Sequence, residues 1–319
     1  MGKPLGIIVA VALAFALAAC SDDPAVTGGP TGGSATASTG STHEAAFPVT
    51  VEGTNGDLTI DARPERIVSL SPTATEDLFA IGAGAQVIAV DDQSNYPADA
   101  PTTDLSGFEP NVEAIVGYRP DLVVYATEPG DLGSSLEGLG ITALQLDAAP
   151  DLDTAYDQID QLGAATGHRD EAAALVERMR SDIQGLVDAS DPASGTTFYY
   201  ELDDTFYSVT SKTFIGKLFG LLGLRNIADA VGRGSGGYPQ LSAEYIIESN
   251  PDLIFLADTK CCGQSAQTVA ERPGWAALAA VSGGGVVPLD DDVAQRWGPR
   301  VVDLLRQISA AAAKMENAA

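Results

Sequence analysis

Apolar residues recur along the body of this chain in short dense runs, each followed by a stretch in which they fall every three or four positions. The runs Arg66-Ile67-Val68-Ser69-Leu70 and Phe198-Tyr199-Tyr200 read as strands. Each leads into a helix: residues 75–81 in the first case, and 212 or 213 to 222, closing at Gly223, in the second. A second pair of segments repeats more closely. Glu113-Ala-Ile-Val-Gly-Tyr-Arg-Pro120-Asp121-Leu-Val-Val aligns with Glu244-Tyr-Ile-Ile-Glu-Ser-Asn-Pro251-Asp252-Leu-Ile-Phe. Both predict a short helix, a Pro-Asp break and a buried parallel strand, here residues 253–256 in the second copy. Both continue through a loop, a helix and a Gly-containing turn into a further strand, over residues 136–146 and 275–289.

Between the two copies, residues 170–189 place Ala173, Val176, Met179, Ile183 and Leu186 at helical spacing with charged residues opposite. The pattern predicts an α/β chain: two Rossmann-like lobes with parallel sheets, joined by a long connecting helix. The expected division is 47–168 for the N-terminal lobe, 169–190 for the helix and 191–319 for the C-terminal lobe. A helical joint is stiff, so the lobes should rock by a modest angle.

The N-terminus follows a different rule. Lys3 precedes an apolar run over residues 7–18, too short to span a bilayer comfortably, and reads as an export signal ending at Cys20. Residues 21–46 are rich in Thr, Gly and Ser with almost no large apolar side chain, so they predict a flexible tether. The formal net charge of -27 argues against nucleic acid and against electrostatic adhesion to anionic lipid. Of the 17 basic residues, ten lie from Lys212 onward, which makes the C-terminal lobe the better source of positive charge.

Several strings carry a family resemblance through their order and spacing. They are Arg66-Ile-Val-Ser-Leu-Ser71-Pro72-Thr-Ala-Thr75-Glu76, Gly82-Ala-Gly84, Asn95-Tyr96-Pro97 and Gly107-Phe108-Glu-Pro-Asn111-Val-Glu113. Pro120-Asp121-Leu122-Val123, Tyr238-Pro-Gln-Leu-Ser242-Ala-Glu244, Pro251-Asp252-Leu253 and Trp297-Gly-Pro299-Arg300 complete the set. The chain resembles the iron-siderophore and cobalamin class of periplasmic solute-binding proteins of ABC importers. Leu17-Ala18-Ala19-Cys20 resembles a bacterial lipobox, which implies lipidation of Cys20 and anchoring on the extracytoplasmic face of the cell membrane. An ordinary signal peptide with an incidental cysteine is the alternative.

The resemblance implies a non-catalytic monomer that captures a metal chelate between its lobes and delivers it to a permease dimer with its ATPase. It needs no cofactor or resident metal of its own. Glu113 and Glu244 match the positions that dock onto permease arginines, and two equivalent carboxylates suit a two-fold partner presenting guanidinium groups. Each also sits where a helix dipole favours negative charge. Candidate ligand contacts are Tyr96, Phe108, Phe206, Tyr207, Tyr238, Arg296, Trp297 and Arg300, of which Tyr238 and Arg296 match contact positions of the family. Cys261 and Cys262 follow a strand, where a loop faces the cleft or its rim; they either form a vicinal disulfide or remain two thiols.

An exported α/β enzyme is the rival reading, but there is no Gly-x-Ser-x-Gly elbow, and Gly82-Ala-Gly84 lacks the third glycine of a dinucleotide fingerprint. Bare transition-metal binding is a second rival. Only His43, in the tether, and His168, at the start of the connecting helix, supply imidazole. Among chelates the balance favours a ferric siderophore over cobalamin or another corrinoid. Trp275 and Trp297 are the only tryptophans, and Gln93 stands where the family often carries an aromatic residue.

Overall fold

The computed structural model describes residues 47–127, 130–190 and 195–316. The expected signal, Cys20, His43 and the 21–46 tether lie outside the described residues. Strands β1 (Val49–Gly53) and β2 (Gly56–Ile60) form an antiparallel hairpin, an element the apolar-run pattern did not predict. Strands β3 (Ile67–Leu70), β4 (Val87–Val90), β5 (Leu122–Tyr125) and β6 (Thr142–Gln145) form a parallel sheet in the order β4-β3-β5-β6. Strands β7 (Thr197–Glu201), β8 (Arg225–Asn226), β9 (Leu253–Leu256) and β10 (Val286–Pro288) form a second, in the order β10-β9-β7-β8. Replacing each strand of the first sheet by its successor four places on gives the second, so the two lobes share one topology.

The duplication extends to the chemistry that sets the elements. The helices Pro72–Ala80 and Phe214–Leu221 follow β3 and β7, capped by Ser71 and Thr213, whose hydroxyls accept from the amides of Ala74 and Gly216. The first begins earlier than the expected residue 75, because Ser71 caps it and Pro72 takes the first helical position, where a missing N–H costs nothing. The helices Val112–Gly117 and Ala243–Ser249 are capped in the same way by Asn111 and Ser242.

The repeated Pro-Asp break also has a job in each copy. Asp121 accepts from the amides of Glu65 and Arg66, both at 2.9 Å, and Asp252 accepts from the amide and hydroxyl of Thr197 at 2.8 and 2.7 Å. Each aspartate therefore ties the entry of β5 or β9 to the entry of its neighbour, β3 or β7, and fixes their register. The central strands are buried along their length, and each fully buried Leu or Phe contributes roughly 1.5–3 kcal/mol.

The helix Arg169–Asp188 joins the lobes and packs on the helices Leu152–Thr166 and Val301–Glu316. Its buried stripe is Ala172, Leu175, Val176, Met179 and Ile183; Ala173 is exposed, so the face begins one residue earlier than the sequence pattern placed it. Gly163 explains the shift: a Cβ there would lie 2.4 Å from the Cβ of Ala172, so the two helices touch at this glycine.

Candidate functional site

In an open parallel sheet, the loops at the carboxyl ends of the strands form the ligand crevice. Here the ends of both sheets contribute to one cleft. A cavity of about 510 Å³ is lined from the N-terminal lobe by Leu70, Ser71, Asp91, Phe108 and Thr127, and from the C-terminal half by Lys260, Cys261, Asp291, Gln295, Arg296 and Trp297 among others. A second, of about 440 Å³, lies between Pro150 on one side and Lys212, Phe214, Arg233 and Tyr238 on the other. Gln295 and Trp297 line both, so the cavities meet at these two side chains. Each volume falls in the range of small-molecule sites, roughly 300–1,000 Å³.

Four candidate ligand contacts line the cavities: Phe108, Arg296 and Trp297 in the first, Tyr238 and again Trp297 in the second. Phe108 is 72% exposed and Tyr238 52%, so both present uncovered rings. Trp297 is held by its indole N–H, which donates to Oε1 of Gln158 at 2.8 Å. The other candidates are placed elsewhere. Phe206 stacks on Trp275 at 5.7 Å between ring centroids, and Tyr207 pairs with Gln240 in an isolated bridge. Tyr96 lies under the Arg300 guanidinium, 4.3 Å from ring centroid to Cζ, and this pair lines a separate groove with Glu76 and Pro299.

Arg296 reaches the cavity wall but is already occupied. Its Nη1 donates to Glu76 Oε1 at 2.8 Å and Asn95 Oδ1 at 3.1 Å, and its Nη2 to the Gln93 carbonyl at 2.8 Å and Asp292 Oδ1 at 3.1 Å. Arg300 donates to both oxygens of Glu76. These contacts join the N-terminal lobe to the segment after β10 beneath the cleft. Asp77, buried next to Glu76, has its carboxyl pushed well above the usual range by burial and by that neighbouring charge.

The loop after β9 is built around Asp291, whose carboxylate accepts from the amides of Thr259, Lys260 and Cys261 at 2.8, 2.9 and 3.0 Å. This cradle sets the Cys261 thiol in the first cavity. Cys261 and Cys262 are both exposed free thiols, and only Cys261 lines the cavity. Burial pushes the Cys261 thiol up to about 12, with the Cys262 thiol and the charges of Asp291 and Asp258 adding to it. Lys260 pairs with Asp290 at 2.7 Å and Asp292 at 2.6 Å. Burial would raise the Asp292 carboxyl, but Lys260, Asn95 and Arg296 hold it below the usual range. Asp91, on the opposite wall, is raised by burial against the opposing effect of its hydrogen bonds from Ser94.

Beneath this loop, Glu201 takes a bidentate grip from Arg272, at 2.6 and 2.5 Å, with Asp258 alongside. Burial, then the Glu201 charge, raises the Asp258 carboxyl to about 7, against the pull of Arg272. Among the described residues no group of three or more His, Cys, Asp or Glu side chains is arranged to hold a metal ion. Neither Glu113 nor Glu244 lines the two cleft cavities; Glu244 borders a separate one with Phe206, Arg272 and Trp275. Each glutamate is exposed and each is the second residue of its helix, so the duplication sets them at equivalent positions on the two lobes.

The sequence reading did not single out Lys212, Arg233, Lys260 or Gln295. The glycine-rich stretch Gly232-Arg-Gly-Ser-Gly-Gly237, immediately before Tyr238, was the available signal for the second cavity.

Two duplicated parallel-sheet lobes on a helical connector, with a cleft between their strand ends, define a two-lobed solute-binding protein. The chain belongs to the periplasmic binding protein family, whose model matches residues 67–293. That family is a non-catalytic, extracytoplasmic transport class. The chain is 29% identical over 274 residues to an uncharacterized ABC transporter substrate-binding lipoprotein of Bacillus subtilis, covering 82% of this chain and 85% of that one. It is 31% identical to a cobalamin-binding protein of Halobacterium salinarum, covering 83% and 74%. The crystal structure of the periplasmic vitamin B12 binding protein of Vibrio cholerae superposes with a TM-score of 0.65 at 26% identity, covering 79% of this chain and 98% of that one.

Proposed function

We propose that this chain is the lipid-anchored binding subunit of an ABC importer and that its solute is a corrinoid, cobalamin being the reference member. The observation that carries the reading is the cleft itself: two adjoining cavities between the carboxyl ends of two matched sheets, walled by the exposed rings of Phe108 and Tyr238 and the half-buried indole of Trp297. Aromatic faces suit a large, mostly apolar macrocycle. The cobalamin-binding relatives supply the remaining support, and they move the balance away from the ferric siderophore that tryptophan scarcity favoured. In this reading Cys20 carries the lipid, residues 21–46 tether the body, and the connecting helix limits closure. Glu113 and Glu244 meet the permease, which with its ATPase completes the importer. Lobe, helix and lobe occupy 47–168, 169–190 and 191–319.

The test is a tryptophan-fluorescence titration of the full chain in detergent with cyanocobalamin, ferric haem, a ferric hydroxamate and a ferric catecholate. Saturable quenching by cyanocobalamin is expected. Saturation by a siderophore without cobalamin would sink the corrinoid assignment while leaving an importer subunit; silence toward all four would sink the chelate reading.

A further inference from the structure

The cationic side chains that line the cleft fall into two groups. In the first cavity Lys260 is neutralised by Asp290 and Asp292, and Arg296 by Glu76 and Asp292. In the second cavity the cations are Lys212 and Arg233, and its lining contains no carboxylate. Among the described residues neither Lys212 nor Arg233 has a hydrogen-bond or ion-pair partner, and both are exposed. Two acids close in sequence to the lining are engaged: Asp229 accepts from the amide and hydroxyl of Ser211, and Asp151, next to Pro150, caps its own helix and pairs with Lys217. In a chain of formal net charge -27, two free cations facing one small cavity create a local field of the opposite sign.

The loop that carries Arg233 is shaped to bring backbone close to a ligand. Its two ends are pinned, because a Cβ at Gly232 would lie 2.3 Å from Thr210 Cγ2 and one at Gly237 would lie 2.8 Å from Thr213 Cγ2. Between them Gly234 and Gly236 have φ of 81° and 65° with nothing nearby, so this stretch turns without side-chain bulk. Successive glycines of this kind leave backbone N–H groups open to an anion.

The geometry points to the second cavity as an anion subsite, in which Lys212 and Arg233 grip a phosphate or carboxylate arm of the ligand whose macrocycle occupies the first cavity. This rests on the chelate reading for the macrocycle, and it adds a requirement: the ligand is bipartite, with an anionic substituent on one edge. A corrinoid meets it through the phosphodiester of its nucleotide loop, and a haem through its propionates. The arm would cross at Gln295 and Trp297, the side chains shared by both cavities.

The experiment compares each chelate with a partner lacking the anion, on the full chain in detergent: cyanocobalamin against dicyanocobinamide, and ferric haem against its dimethyl ester. The doubly substituted Lys212→Ala/Arg233→Ala chain is measured in parallel. The intact ligand should bind at least about tenfold more tightly than its stripped partner, as expected for hydrogen bonds to charged groups, and the double substitution should erase that difference. The pair that shows it names the arm, phosphodiester or carboxylate. Equal binding of intact and stripped ligands, or equal weakening of both by the substitutions, overturns the subsite. If none of the four binds, the macrocycle reading fails on its own and inorganic pyrophosphate decides: saturable 31P line broadening that the double substitution abolishes supports the subsite, and no broadening overturns it.

Discussion

Arg300 holds Glu76 by both carboxylate oxygens, Nε to Oε2 at 2.8 Å and Nη2 to Oε1 at 2.5 Å, across 224 positions of sequence. Arg296 shares Oε1, so one buried carboxylate answers two guanidinium groups. Glu76 comes from the first helix of the N-terminal lobe and the arginines from the segment leading into the last helix of the chain. An ion-pair cluster thus ties the two lobes together; Arg296 reaches the first cavity, and Trp297, between the two arginines in sequence, lines both.

Removing Glu76 leaves two largely buried cations without their carboxylate. Breaking a buried pair from one side typically costs about 3–5 kcal/mol. Glu76→Ala should therefore lower the unfolding free energy by about that amount in urea denaturation, whereas Glu76→Leu combined with Arg296→Met and Arg300→Met should recover most of it. A loss below about 1 kcal/mol for Glu76→Ala would mean that Asp292 and solvent satisfy both arginines unaided.

This cluster also marks where sequence ceased to be informative. The repeat from Glu113 and from Glu244 was legible because helix, Pro-Asp break and strand recur in order, and the structure shows each aspartate doing the same work. Arg296 was readable as a candidate ligand contact by family resemblance, but not as the partner of a buried glutamate. Its partner lies 220 residues away, and no local period encodes a pair at that separation. The connecting helix was visible as a period, but its phase was set by contact with Gly163, which turned the buried face from Ala173 to Ala172. The β1–β2 hairpin did leave a trace, alternating residues either side of Asn55-Gly56, too short to stand out from the Thr- and Gly-rich stretch before it.

Asp258 should make stability depend on pH in a defined direction. Its folded carboxyl is raised to about 7 from an ordinary 3.8, so the folded chain holds this proton more tightly than the unfolded chain does. Below the ordinary value both states are protonated and the residue contributes nothing. As pH rises from there through the raised value, folding must either keep the proton or bury a charge beside Glu201, and stability falls. Asp258→Asn removes that penalty. Its melting temperature should match the parent near pH 4 and exceed it by on the order of 5 °C at pH 8, measured by differential scanning calorimetry. A constant offset across the range would show that Asp258 does not titrate there.

The two tryptophans should report differently on a ligand. Trp275 is fully buried in a satellite core against Tyr199 and Phe206, whereas Trp297 lines both cavities. Ligand-induced quenching should survive Trp275→Phe and disappear, or fall several-fold, in Trp297→Phe. Quenching that follows Trp275 instead would place the ligand on the outer face of the second sheet and displace the cleft from its role.

If the proposed function holds, charge reversal at Glu113 and Glu244 should separate delivery from capture. Both are exposed, neither lines the two cleft cavities, and neither side chain has a hydrogen-bond or ion-pair partner among the described residues, so charge reversal removes no internal contact. The cost to folding is confined to the first turn of two short helices, where a positive charge opposes the dipole by about 0.3–1 kcal/mol each. Glu113→Lys/Glu244→Lys should thus leave the ligand Kd within about twofold of the parent while abolishing ligand-stimulated ATP hydrolysis by the reconstituted importer. Single reversals should each retain part of that stimulation if each lobe attaches through its own glutamate, as the proposed function requires. A double variant that still stimulates the ATPase fully would move the permease contact to another surface, and one that loses ligand affinity would draw these carboxylates into the binding site.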